Sequence, residues 1–260
     1  MSKEFLGSLE LNRVYHMDCL EGMKLIPDKS IDMILCDLPY GTTQNKWDSI
    51  IPLNKLWEQY NRIIKDNGAI LLFGQTPFDK VLGASNLKML KYEWIWEKNR
   101  GTGHLNAKKM PMKSHENILV FYKKLPTYNP QMREGGPYIR KDCSKSSLNK
   151  GNYGKTNESH TTISKGGRYP LSVINFNSVE RTIHPTQKPV ELFEYLIRTY
   201  TDENEIVLDN CLGSGTTAVA CELNNRKWIG FETEREYVEI INKRLDKLDD
   251  TNDIKDYKSK

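Results

Sequence analysis

Asp37-Leu38-Pro39-Tyr40 brings an acid, a main-chain carbonyl and an aromatic ring together within four residues. Pro39 has no N–H and a fixed φ, and it pushes Leu38 into an extended conformation. The three groups are therefore held in a stiff turn. Asp37 and the Leu38 carbonyl can each accept a hydrogen bond from one N–H of an amino group, while Tyr40 can lie against the flat face of a ring. That combination suits an exocyclic amine on a base. The plain alternative is a strand end followed by an ordinary proline turn, and the tetrapeptide alone does not choose between them.

A second group of residues can hold a nucleoside cofactor. Ile206-Val207-Leu208-Asp209 reads as a short parallel-type strand, followed by Asn210-Cys211-Leu212-Gly213-Ser214-Gly215-Thr216-Thr217 and a helix through Cys221. Glycines permit close backbone approach, and a helix N-terminus offers unpaired N–H groups. No Gly-Lys-Ser/Thr follows, so this is not a P-loop. Lys227 to Phe231 forms the next strand and ends at Glu232, about 20 residues after the glycines, where an acid can hold ribose hydroxyls. On these residues alone, NAD and S-adenosylmethionine both remain open. Further upstream, Asp18 precedes a helical turn that includes Leu20 and Met23 and can cap it. His184-Pro185-Thr186-Gln187-Lys188-Pro189 is at least a rigid entry into a helix with Val190, Phe193, Leu196 and Ile197 on one face.

The elements that must position these groups follow from the apolar pattern. Ile31 to Cys36 is a mostly apolar run stopped abruptly by the turn, as a buried strand would be. Its carboxyl end is where open α/β sheets bind ligands. Leu53, Leu56, Trp57, Tyr60, Ile63 and Ile64 fall at helical spacing, and Ala69 to Phe73 reads as another buried strand. Tyr92 to Trp96 and Ile118 to Tyr122 are strand candidates flanking a basic loop, and Phe78, Val81 and Leu82 form a core-facing helix stripe. His115-Glu116-Asn117 precedes the second of those strands and is assigned no chemistry. A closing amphipathic helix carries Tyr237, Ile240, Ile241, Leu245 and Leu248.

At 260 residues, with 38% hydrophobic and 28% charged residues, the chain has room for one large α/β domain or one domain with an insertion. No apolar run reaches membrane-span length and no signal peptide opens the chain, which points to the cytoplasm. Five cysteines without a Cys-x-x-Cys pair argue against a disulfide framework and a zinc site, so no metal is expected. Charge is unevenly placed. Residues 98–168 hold 15 Lys and Arg against 4 Asp and Glu, and the rest of the chain holds 23 against 30. A basic middle interleaved with tyrosines and asparagines (Tyr122, Tyr128, Tyr138, Tyr153 and Tyr169, with Asn149, Asn152 and Asn157) fits a nucleic-acid partner. Leu125 to Tyr169 is poor in aliphatic residues and shows little periodicity, so it reads as an inserted segment rather than as core.

Taken together, the turn, the basic insertion, His-Pro-Thr-Gln-Lys-Pro and the glycine loop occur in an order that resembles the beta group of amino DNA methyltransferases. The resemblance covers roughly Tyr15 to Leu248. It implies a doubly wound, mainly parallel sheet in permuted order with a basic target-recognition insertion. The corresponding division is a catalytic half over 1–124, the insertion over 125–170, a cofactor half over 171–249 and a flexible tail over 250–260. It further implies S-adenosylmethionine as cofactor, double-stranded DNA as partner, and transfer to adenine N6 of a flipped-out base. Asp37, Leu38, Pro39 and Tyr40 would form the catalytic turn. Asp18, His184, Thr186, Lys188, Asp209, Gly213, Gly215, Thr216, Thr217 and Glu232 would hold the cofactor, with Asp18 on its adenine amino group and Thr186 and Lys188 near its methionine end. A homodimer and a partner restriction endonuclease are further expectations of the group. Cytosine N4 is the alternative target. The less favoured readings are a nicotinamide-dependent oxidoreductase, a methyltransferase acting on RNA or a protein glutamine, and a non-catalytic DNA-binding protein.

Overall fold

The run Ile31–Cys36 is a strand with every residue buried, and the rest of the sheet is built outward from it. The computed structural model of the chain describes residues 3–41, 49–141, 161–179 and 187–250. Its eight-stranded sheet contains β1 (Arg13–His16), β2 (Ile31–Cys36), β3 (Ile64–Gly74), β4 (Leu90–Thr102), β5 (Lys113–Phe121), β6 (Val173–Asn175), β7 (Ile206–Asp209) and β8 (Lys227–Glu232). Their spatial order is β6-β4-β5-β3-β2-β7-β8-β1. Only β5 runs against its neighbours; the other pairings are parallel.

The pleat sorts the strand residues between two cores, as alternation along a strand requires. Met33, Leu35, Ala69, Leu71, Phe73, Ile118 and Val120 face one side, where α4 (Val190–Tyr200), α5 (Thr216–Leu223) and α6 (Arg235–Asp250) pack. Ile34, Cys36, Ile70, Leu72, Leu119 and Phe121 face the other, under α1 (Cys19–Lys24), α2 (Leu53–Ile63) and α3 (Phe78–Ser85). This is the expected doubly wound α/β architecture. The chain leaves β2 through α2 to β3 on one side, and leaves β7 through α5 to β8 on the other. The gap outside the carboxyl ends of β2 and β7 is thus the point where the winding reverses, and such a gap binds ligands in open α/β sheets.

One close approach fixes the β8 side of that gap. Gly22 in α1 lies so near Phe231 that a Cβ would come within 2.3 Å of its ring. Gly22→Ala should therefore destabilise the protein by about 1–3 kcal/mol through overpacking, more than the ~1 kcal/mol that alanine's helix propensity returns. Denaturant unfolding checks this, and an unchanged midpoint would mean that α1 is not seated on Phe231.

Two segments differ from their sequence reading. Pairing of β4 with β5 continues outward to Thr102 and Lys113, beyond the apolar Trp94-Ile95-Trp96, so much of the basic loop is the arm of a hairpin. The arm's polar residues carry no alternation that could have announced it. Residues Pro130–Leu171 form a compact unit of their own, separate from the unit of Met1–Asn129 and Ser172–Lys260. Its described part is not structureless: Tyr138–Lys141 pairs antiparallel with Thr161–Ser164, and Arg133–Glu134 with Gly167–Arg168. These ribbons bury neither face fully, which is why periodicity was silent. Among the described residues no helix is long and apolar enough to cross a membrane.

Candidate active site

The reversal point opens into a cavity of about 540 Å³, lined at one end by Asp37, Tyr40, Trp96, Lys98 and Glu116 and at the other by Asp18, Gly213, Glu232 and Tyr237. At the first end, β2 delivers Asp37 and the proline turn holds it. The Tyr40 hydroxyl donates to Asp37 Oδ1 at 2.6 Å, and the Tyr40 ring stacks on Phe78, 5.1 Å between centroids. Phe78 was legible only as core; it is also the support of Tyr40. Leu38 is buried in the same apolar cluster, so it contributes packing as well as a carbonyl.

Asp37 Oδ2 accepts a hydrogen bond from the Lys188 ammonium, which was expected at the cofactor's methionine end. The same ammonium lies 3.3 Å from Glu116 Oε2, and Glu116 Oε1 accepts from Lys98. Four charged groups of alternating sign thus line one wall: Asp37, Lys188, Glu116 and Lys98. Burial pushes the Asp37 carboxyl above its ordinary value, against the pull of Lys188. Burial would likewise raise Glu116, but Lys188 and Lys98 together hold its carboxyl below the usual range. Burial works to discharge Lys188, and the two carboxylates overcome it and keep the amine protonated. Neither Glu116 nor Lys98 was legible as a site residue, since both depend on partners far away in sequence.

At the second end, β8 presents Glu232 and the loop after β7 presents its backbone. Glu232 Oε2 accepts from Gly213 N at 2.7 Å and Oε1 from Glu234 N at 2.9 Å, and burial raises its carboxyl above the ordinary range. Asp209 is tied on both oxygens, by Cys211 N at 3.0 Å and by the Thr217 hydroxyl, and burial lifts it to about 6. Thr216 donates to the Lys188 carbonyl at 3.3 Å. Asp209, Thr216 and Thr217 thus lace the glycine loop to its frame while lining the cavity. Gly215, at φ +82°, closes against Ile241, where a Cβ would sit 2.9 Å from its side chain. Asp18 caps α1, with Oδ1 accepting from Leu20 N at 2.9 Å and Glu21 N at 3.2 Å, and it also borders the cavity. His184 and Thr186 lie outside the described residues. Asn210, anchored by the Tyr60 hydroxyl, is a cavity residue that the sequence reading did not single out.

This donor set fits S-adenosylmethionine. An acid at the end of β8 can take ribose hydroxyls, a positive-φ glycine at 213 leaves the loop backbone open to approach, and a carboxylate-lined cavity suits a sulfonium. Comparison with known proteins agrees. The sequence matches the N6/N4 DNA methylase family over residues 31–243. It is 30% identical to the type II methyltransferase M1.MboII of Moraxella bovis, covering 93% of this chain and 99% of that protein. It is 27% identical to the DNA adenine methyltransferase YhdJ of Escherichia coli K12, covering 91% and 83%. The crystal structure of the M1.HpyAVI–SAM complex superposes with a TM-score of 0.62 at 26% identity, covering 90% of this chain and 99% of that one.

Proposed function

The chain belongs to the N6/N4 DNA methylase family and takes its methyl group from S-adenosylmethionine; from that premise we propose that it methylates adenine N6 in double-stranded DNA. The observation that carries the proposal is Asp37, half-buried at the switch-point cavity beside Tyr40 and Lys188. A base stacked in a duplex cannot reach that depth, so it is turned out of the helix at a cost of a few kcal/mol. Tyr40, braced from behind by Phe78, offers a rigid face for it.

S-adenosylmethionine supplies a methyl group on a positively charged sulfur. Asp37 and the Leu38 carbonyl accept the two amine hydrogens and so orient the nitrogen lone pair out of ring conjugation. As the N–C bond forms and the C–S bond breaks, positive charge moves onto the amine nitrogen, directly against the Asp37 carboxylate. The spare proton then leaves for that carboxylate or solvent. Positioning and this charge complementarity supply the rate. Asp18, Gly213 and Glu232 hold the adenosine end, with Asp209, Gly215, Thr216 and Thr217 fixing the loop around it.

The ribbon unit Pro130–Leu171 is the target-recognition element in this reading. Arg168 lies over the Tyr138 ring at 4.6 Å, bracing a surface that also carries Arg133, Arg140 and Lys165. A homodimer and a restriction endonuclease sharing the recognition sequence are the assemblies this activity favours, and its place is the cytoplasm. Adenine is favoured over cytosine N4 because an ionised Asp leads the turn, where the cytosine enzymes usually carry Ser, and because the relative YhdJ is an adenine methyltransferase. Digestion of treated DNA to nucleosides and their mass spectrometry should show N6-methyladenine. N4-methylcytosine in its place would overturn the choice of base.

A further inference from the structure

Among the described residues, one buried side-chain oxygen or nitrogen makes no hydrogen bond: Glu116 Oε2. It sits in the wall of the active cavity on a residue 6% exposed, with the Lys188 ammonium 3.3 Å away but bonded to Asp37 instead. Glu116 cannot drift toward that ammonium at will, because Lys98 grips its other oxygen and Lys98 itself rests over the Trp96 ring at 4.9 Å. That oxygen has the ammonium's charge beside it but not its hydrogen bond, so a small shift of the ammonium would improve the pairing.

Asp37 presents the converse problem. The reaction needs its carboxylate as acceptor for the incoming amine, yet Oδ1 already accepts from Tyr40 and Oδ2 from Lys188. An ammonium bonded to Asp37 drains the charge that should face the developing positive nitrogen. We infer that Glu116 is a positioning residue: its Oε2, ion-paired with the Lys188 ammonium but not hydrogen-bonded to it, takes up that hydrogen bond when the target amine docks, releasing Asp37 Oδ2 for the substrate. Lys188 crosses from one carboxylate to the other without losing its counter-charge. In the absence of DNA the same lysine keeps Asp37 paired, so the acid is never left without a partner.

This inference rests on the methyltransferase reading and specifies how its acid is delivered. The titratable groups around Asp37 are Tyr40 on its own turn, Lys188 ahead of α4, Glu116 on β5, Lys98 on β4, and Cys36 and Asp209 at the ends of β2 and β7. Asp37 must be ionised to act, so activity is lost as pH falls through its raised pKa. Glu116 is one of the charges that raise it.

The test compares wild type with Glu116→Gln in methyl transfer from S-adenosylmethionine to duplex DNA across pH. With Oε2 no longer anionic, Lys188 stays on Asp37. The expected result is a kcat lower by about 10-fold or more, the scale on which partners that orient a working group act. KM should change little, and the acid limb should move to lower pH because a negative neighbour is gone. Glu116→Asp keeps the charge and should hold the limb near its wild-type position with a smaller loss of kcat; it also serves if the Gln variant fails to fold. A Gln variant with wild-type kcat and an unmoved limb would overturn the inference, as would an Asp variant whose limb shifts like that of Gln. Wild type that binds S-adenosylmethionine without methylating DNA would sink the functional reading itself, an outcome distinct from either.

Discussion

Asp37→Ala is expected to lower methyl transfer by at least about 10²-fold, or some 2.7 kcal/mol of barrier, while S-adenosylmethionine still binds. The loss follows from where positive charge appears. Asp37 is the carboxylate at the end of β2 that Tyr40 and Lys188 aim into the cavity, and alanine leaves the amine nitrogen with the Leu38 carbonyl alone. The fold should tolerate the change, since Lys188 retains Glu116 as a buried counter-charge 3.3 Å away. Cofactor affinity should persist because Gly213, in the loop after β7, and Glu232, at the end of β8, hold each other on other elements. Transfer assays with calorimetry on the same preparation read both quantities. Full activity in the variant would remove Asp37 from the mechanism.

Replacing Pro130–Leu171 by a short flexible linker is expected to abolish sequence-specific DNA binding, a loss of at least about 10³-fold relative to non-specific binding. The residues that flank the excision are held within the main unit itself. Asn129 N donates to the Thr199 carbonyl at 2.7 Å, and the Ser172 carbonyl accepts from Ile95 N at 2.8 Å. The sheet should therefore survive the excision and go on binding S-adenosylmethionine. The salt dependence of residual DNA binding should also flatten, because Arg133, Arg140, Lys165 and Arg168 go with the deleted residues and fewer phosphates are neutralised. Normal binding of the recognition site by the deletion variant would place target recognition elsewhere in the chain.

How far the sequence could be read depended on whether a feature was local. Ile31–Cys36, Ile206–Asp209 and Lys227–Glu232 announced themselves as apolar runs with abrupt ends, and the acids at those ends do border one cavity. The division between layers was written in the alternation of Met33 and Leu35 with Ile34 and Cys36. By contrast, the wall of Asp37, Lys188, Glu116 and Lys98 joins four positions from β2, β5, β4 and the entry to α4, and no local pattern links them. Lys188 was singled out for the cofactor, yet its ammonium sits between two carboxylates. Phe78 looked like any core residue because it is one, and its second use depends on the angle at which Tyr40 arrives. The ribbons at 133–141 and 161–168 left no trace because the face of Thr161–Ser164 that is part-buried carries Thr162 and Ser164 while its apolar Ile163 is exposed, the reverse of a core strand's pattern.

The central claim is that this cavity joins a sulfonium methyl directly to an exocyclic nitrogen held by Asp37. Following the methyl group itself tests it most directly. The protein is incubated with duplex DNA and methyl-labelled S-adenosylmethionine, and the DNA and protein are then separated and the DNA hydrolysed to bases. The label should lie in a base methylated on its amino nitrogen, with none left on the protein. Label at a ring carbon, label retained on the protein, or unlabelled DNA would contradict it.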